Sequence, residues 1–176
     1  DSSCTISAPE RSRHVEYMHG QLQELTREQM AQLLKKARYG RLALSFENEP
    51  YAVPISHIYD GERIWFHIAA EGKKTTYLQA NPLACFQVDE WVESGWGSVI
   101  CYGNVTLSRD LAIRKQFMLL ATGVEPSDEQ LQQANMYVCV MHVHEMTGRR
   151  SPGYIVATAV RDATPAAKAD GDSNPH

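Results

Sequence analysis

The sequence predicts an α+β fold, an antiparallel six-stranded β-barrel with short flanking helices. Three observations carry that reading. Six apolar runs have strand length, and most are joined by hairpin-like turns. The helical stretches interrupt the strands instead of alternating with them, unlike the repeat that builds a parallel doubly wound sheet. No G-x-G-x-x-G follows a strand, so the usual dinucleotide fingerprint is missing.

Taken in order, Thr26 and Gln29 have capping-box spacing, and Glu28 suits a helix N-terminus. Met30, Leu33, Leu34 and Ala37 recur at helical spacing, and Gly40 is a plausible stop, so a helix is expected over 27–38. Strands are expected over 41–47 and 51–59, with a turn at 48–50 between them. Pro54 takes a backbone donor out of the second of these, which must therefore be an edge strand or bulge there. Asp60-Gly61 is a hairpin signal leading into the strand 62–69, where Ile64, Phe66 and Ile68 alternate with Arg63, Trp65 and His67. A short helix over 73–80 is stopped by Asn81-Pro82. Strands 83–89 and 98–107 follow, separated by a loop bearing Trp and Gly. Helices over 110–120 and 129–135, the latter started by Pro126-Ser127, precede the sixth strand, 137–144.

The remainder bounds the class. Residues 1–20 have no clear period and read as a flexible arm, and residues 161–176, rich in Ala, Asp, Pro and Gly, read as a disordered tail. That leaves 21–160 as one domain. A net charge of −4 argues against a nucleic-acid surface, which needs clustered Lys and Arg. No run approaches the roughly 20 apolar residues that span a bilayer, so no membrane partner is expected. No signal peptide is read at the N-terminus. Cys85, Cys101 and Cys139 lie in apolar, strand-like runs and no C-x-x-C occurs, which points to core thiols and a reducing, cytoplasmic location. Cys4 lies in the arm.

The most informative stretch is His67-Ile68-Ala69-Ala70-Glu71-Gly72-Lys73-Lys74-Thr75-Thr76. A strand ends, Gly72 permits an unusual turn, and a helix opens on two lysines and two threonines. First-turn N–H groups attract anions, and a glycine lets the backbone approach them. Lysines at this end oppose the helix dipole, a conflict that a bound phosphate would relieve. A plain helix start with solvated lysines is the alternative that local sequence leaves open.

Further pieces fall in a specific order: Tyr39-Gly40-Arg41-Leu42-Ala43-Leu44, Pro50-Tyr51-Ala52-Val53-Pro54-Ile55-Ser56, Tyr59-Asp60-Gly61, Ile64-Trp65-Phe66-His67, Glu71-Gly72-Lys73-Lys74, Asn81-Pro82, Ser98-Val99-Ile100-Cys101-Tyr102-Gly103 and Met146-Thr147-Gly148-Arg149. Together, over roughly residues 20 to 150, they resemble the pyridoxamine-5′-phosphate-oxidase-like family of FMN-binding split β-barrels, and within it the nitroimidazole-resistance (Nim) branch.

The resemblance implies FMN as cofactor, with haem or a deazaflavin as lesser alternatives. It implies that Val53, Pro54, Ile55 and Ser56 lie along the flavin ring, and that His67, Gly72, Lys73 and Lys74 hold the ribityl phosphate. Gln87, Trp96 and Ser98 would complete the pocket, often from the second subunit of a homodimer. His57 is the catalytic candidate, a proton donor or orienting group toward a small-molecule substrate. A strand histidine bonded to a neighbour is the other reading of it. Lys73-Lys74 stands where many relatives have Arg-Lys, and the vitamin B6 substrate contacts have no counterpart here. The implied activity is an oxidoreductase passing electrons from a nicotinamide or redox partner to an acceptor such as a nitroaromatic. The alternative is a non-catalytic flavin- or haem-binding or storage protein, or a haem-degrading split barrel.

Competing sites are weaker. His142 and His144 share one strand face, but no third ligand stands at a telling spacing, so no metal is expected. His14, His19 and His144 are the haem-ligand candidates. Trp65, Trp91 and Trp96 read as core or pocket lining.

Overall fold

The first regular structure forms where the sequence caps it. In the computed structural model, which describes residues 21–156, Thr26 Oγ1 accepts from Gln29 N at 3.3 Å, and Gln29 Oε1 accepts from Thr26 N at 2.9 Å. Expectations for the arm and the tail, with Cys4, His14 and His19, lie outside the described residues. Helix α1 (Arg27–Lys36) follows, with Glu28 in its first turn and Lys35 and Lys36 in its last, and it buries Met30, Leu33 and Leu34. It ends two residues before the expected stop because Ala37 is already extended.

The strands are β1 (Gln23–Glu24), β2 (Tyr39–Phe46), β3 (Glu49–Ser56), β4 (Ile58–Tyr59), β5 (Arg63–Ala69), β6 (Leu83–Val92), β7 (Gly95–Ser108) and β8 (Met136–Arg150). Helix α2 (Lys73–Ala80) joins β5 to β6, while α3 (Leu111–Thr122) and α4 (Asp128–Gln133) lie between β7 and β8. Every pairing is antiparallel, and the sheet runs β3-β2-β6-β7-β8-β5-β4, with β1 added to β8. Its two edges, β3 and β4, are consecutive in the chain and separated by His57 alone. A one-residue link between opposite edges requires the sheet to roll into a barrel that stays open along that seam.

The antiparallel α+β barrel is therefore as expected, but with eight strands instead of six. The expected strand 51–59 breaks at His57 into β3 and β4, which pair with different neighbours, and β1 is too short to leave a periodic signal. Pro54 lies on the edge strand β3, and the register there, Arg41 opposite Pro54, has no bulge. Gly40 is not a helix stop. It lies within β2, where a Cβ would meet the Phe86 ring at 2.1 Å. The expected Trp- and Gly-bearing loop is instead a tight hairpin, with Val92 opposite Gly95. Side chains of Ser151 and Tyr154 fill the space beside Gly95 and Gly97.

The inner face of the barrel is the main core, with Leu42, Leu44, Ile64, Phe66, Phe86, Val88, Val99 and Met141 packed against α1. Each of these large side chains contributes about 1.5–3 kcal/mol on burial. Outside β5 and β8, α3 covers a second cluster of Trp65, Phe117, Val138 and Val140. The outward face of β2, β6 and β7 stays open, with Tyr39 68%, Leu83 59%, Trp91 73% and Tyr102 47% exposed.

Candidate functional site

The α2 N-terminus has the features of an oxyanion cradle. Thr26, Asp110 and Ser127 cap the other three helices with side-chain oxygens, whereas Gly72 caps α2 with none. Gly72 has φ +117° and ψ 177°, a conformation essentially reserved for glycine, and a Cβ there would meet nothing within 4 Å. The amides of the first turn thus have no side-chain cap. Thr75 donates its hydroxyl to the Ala69 carbonyl at 2.7 Å and is buried. It fastens the strand to the helix instead of facing a ligand. The Thr76 hydroxyl donates to the Gly72 carbonyl at 3.3 Å and is exposed.

Lys73 is exposed and reaches to Glu49 at the start of β3, with its ammonium 2.5 Å from the carboxylate and over the rings of Tyr51 and Tyr77. The hydrogen bond from Lys73 holds the Glu49 carboxyl below its ordinary value and, reciprocally, raises the Lys73 ammonium. Glu49 is thus the partner of the Lys73 charge. Lys74 is half-buried on the same first turn. His67 is exposed on the outer side of β5, its ring 5.7 Å from Phe117 of α3.

Along β3, Pro54 and Ser56 are exposed while Val53 and Ile55 are half-buried against the core. Pairing only with β2, this strand leaves one side of its backbone open. His57, next in the chain, turns the other way. It is 6% exposed, its ring lies 4.7 Å from Phe86, and its Nε2 is 3.0 Å from the Leu34 carbonyl of α1. The histidine thereby ties the end of β3 to the helix behind the sheet.

Gln87, Trp96 and Ser98 meet on the open outward face. Gln87 Nε2 donates to Ser98 Oγ at 3.2 Å and to Asp89 at 3.1 Å, and Arg41 bridges Gln87 and Asp89. A cleft of about 220 Å³ holds Trp96 and Ser98 together with Arg149. Beside it lies one of about 400 Å³, lined by Ala43, Ser45, Leu83, Cys85, Tyr102 and His144. No described hydrogen bond or ion pair joins this face to the α2 turn. Arg41, Asp89 and Glu49 were missed by sequence reasoning. Gln87 and Asp89 are two apart and so share a face, but only the strand register brings Arg41 onto them.

Among the described residues, no group of three or more His, Cys, Asp and Glu is placed to hold a metal ion. Burial pushes the Cys101 and Cys139 thiols up to about 12, which leaves them inert core groups. No helix among the described residues is long and apolar enough to cross a membrane.

With this geometry in hand, comparisons with known proteins converge. A protein of Rhizobium meliloti (strain 1021), itself uncharacterised, is 24% identical over 141 residues, covering 71% of this chain and 92% of the relative. An FAD-binding protein from Mesorhizobium loti has a similar fold, with a TM-score of 0.63, 24% identity, and coverage of 74% of this chain and 99% of that one. A candidate 5-nitroimidazole antibiotic resistance protein from Bacteroides thetaiotaomicron also reaches a TM-score of 0.63, at 19% identity, covering 74% of this chain and 87% of that one. The profile described as pyridoxamine 5'-phosphate oxidase matches residues 26–150, from the cap of α1 to the last residue of β8. The chain belongs to the pyridoxamine 5'-phosphate oxidase family.

Proposed function

We propose that the chain is a flavin-binding oxidoreductase that holds FMN at the α2 turn and passes electrons from a nicotinamide or a redox partner to a small acceptor such as a nitroaromatic. The observation that carries this reading is the open α2 N-terminus at Gly72, flanked by Lys73 and Lys74, in a member of this family. The donor set fits a phosphate monoester, since uncapped amides and two ammonium groups supply charge and hydrogen bonds without a fixed metal. An FAD-binding neighbour and a nitroimidazole-resistance neighbour on the same fold support it.

When bound, the flavin would supply reversible electron storage, and the protein binding, orientation and electrostatics. Gly72, Lys73 and Lys74 would hold the phosphate, with His67 on the adjoining strand. Residues Val53, Pro54, Ile55 and Ser56 would offer the open backbone edge of β3 to the ring. Of the two readings of His57, its burial and its contact with the Leu34 carbonyl favour the histidine bonded to a neighbour, fixing the end of β3 from behind, over a group acting on the substrate. Within one protomer, Gln87, Trp96 and Ser98 form a group of their own on the open, aromatic-rich outward face. We therefore place them as the contribution of a second copy, in a homodimer whose interface is this face.

The test is FMN titration of wild type and of Lys73→Ala combined with Lys74→Ala, followed by flavin fluorescence. We expect an absorbance spectrum with two flavin bands for wild type and sharply weakened binding in the double variant. Unchanged FMN affinity in the variant would sink the phosphate assignment. Turnover of NADH or NADPH with a nitro compound tests the oxidoreductase step, and its absence across several donors and acceptors would leave a binding protein.

A further inference from the structure

A second cationic cleft lies between the start of α3 and the turn from α4 into β8, where the Asn135 carbonyl accepts from Ala70 N at 3.2 Å and joins it to the end of β5. It encloses about 320 Å³ and is lined by Arg109, Arg114, Gln132, Gln133 and Asn135. Arg114 is the unusual group: it is 5% exposed, yet none of the described ion pairs involves it. Its guanidinium donates through Nη1 to the Leu131 carbonyl and through Nη2 to the Met136 carbonyl, at 2.6 Å in the second case. Its Nε, also buried, has no hydrogen-bond partner. Buried guanidinium groups are ordinarily matched by an anion, because carbonyl dipoles offset only part of a full charge. Arg109 faces the same cleft, its guanidinium 4.6 Å above the Tyr137 ring and likewise outside every described ion pair. Leu111, Ala134 and three side-chain amides complete the lining, and the amides can donate to oxyanions.

We propose that this cleft is a second ligand site, built from residues other than those assigned to the flavin, for a small organic oxyanion: a carboxylate or a phosphate ester. Two arginines and amide donors suit the planar, fork-like geometry of such groups better than lysines would. The volume is that of about ten waters at roughly 30 Å³ each and lies at the lower end of small-molecule sites, which limits the ligand to metabolite size.

The experiment is calorimetric titration of the full chain with malonate and, separately, with inorganic phosphate, at constant ionic strength. We expect saturable binding of at least one. The tighter of the two identifies the ligand class as carboxylate or phosphate. Arg109→Ala, at an exposed position, should weaken that binding about tenfold or more, equivalent to about 1.4 kcal/mol. Arg114→Lys, which keeps the charge but loses the fork, should weaken it as well. Arg38→Ala, which removes an exposed cation outside both sites, should bind as wild type does. The proposal is overturned by no saturable binding up to about 10 mM, by an Arg109→Ala isotherm that superimposes on wild type, or by an equal loss of binding in Arg38→Ala.

Discussion

Gly72 is where fold and site depend on one backbone conformation, so Gly72→Ala is the most informative single change. With φ +117° and ψ 177°, the residue lies in a region that side-chain-bearing L-residues essentially do not populate. The cost comes from the backbone alone, since a Cβ at this position has no neighbour within 4 Å. Holding alanine there costs about 1–3 kcal/mol. If the turn keeps its shape, that energy appears as lost stability, about 2–12 °C in Tm at the 2–4 °C per kcal/mol typical of domains slightly larger than this. If the turn relaxes, the first amides of α2 swing away from their common focus, and the same energy is lost from phosphate binding instead, roughly 5- to 150-fold in FMN Kd. Differential scanning calorimetry and FMN fluorescence titration on one preparation measure both shares. Gly123→Ala is the control: at φ +73° it ends α3 in open space, and it should lower Tm without altering FMN affinity. The reasoning is refuted if Gly72→Ala matches wild type in both Tm and Kd, because the turn would then not need a glycine.

Two further predictions rest on charge. Glu49 holds the ammonium of Lys73 in the absence of a ligand, so Glu49→Gln should tighten FMN binding measured at low salt; unchanged or weaker binding would show that the ion pair does not compete with the phosphate. Asp60 accepts from the backbone N–H groups of Glu62 and Arg63 and, through Oδ2, from the Trp65 indole at 2.7 Å. Burial pushes its carboxyl upward, but these hydrogen bonds outweigh it and hold the group below 3.8. A carboxyl depressed in the folded state stabilises above its unfolded value, and that contribution fades as pH falls through the lower folded value. The urea midpoint of wild type should therefore fall on acidification below about pH 4. Asp60→Asn should lower the midpoint near neutrality by the equivalent of about 1–3 kcal/mol, because an amide nitrogen cannot accept from the buried indole. It should also flatten the acid slope, and an Asp60→Asn slope as steep as that of wild type would assign acid lability to other groups.

What could be read in advance follows the range of the interactions concerned. Capping boxes at Thr26 and Ser127 are satisfied within three residues, so the start of α1 and α4 is visible in sequence. The turn proposed to hold the phosphate is just as local, from Gly72 to Thr76. By contrast, Gly40, Gly95 and Gly97 look like breaks in the pattern but lie in strands, because Phe86, Ser151 and Tyr154, distant in sequence, fill the space beside them. The break at His57 is equally hidden: nothing in 51–59 signals a change of partner, which is decided by β2 on one side and β5 on the other. Arg41 reached the polar cluster through the register with Gln87, and Glu49 at the start of β3 reached Lys73 at the start of α2. Both are pairings that periodicity alone does not set.

That break also explains why the proposed ring site and the open barrel seam coincide. Had the chain continued 51–59 as one strand beside β2, β5 would have lost the partner it finds in Ile58 and Tyr59, and its edge would have lain bare. Crossing the seam at His57 gives β5 that partner but leaves β3 paired on one side only. An exposed edge strand invites pairing with another chain, a hazard that Pro54 reduces by removing one donor. The remaining backbone groups of 53–56 are then available to a planar heterocycle edged with hydrogen-bonding atoms. His57, held to the Leu34 carbonyl and against Phe86, keeps the crossing from drifting. On this account the unpaired edge is the feature that would let one barrel bind a flat cofactor, and its position is set by a single buried residue.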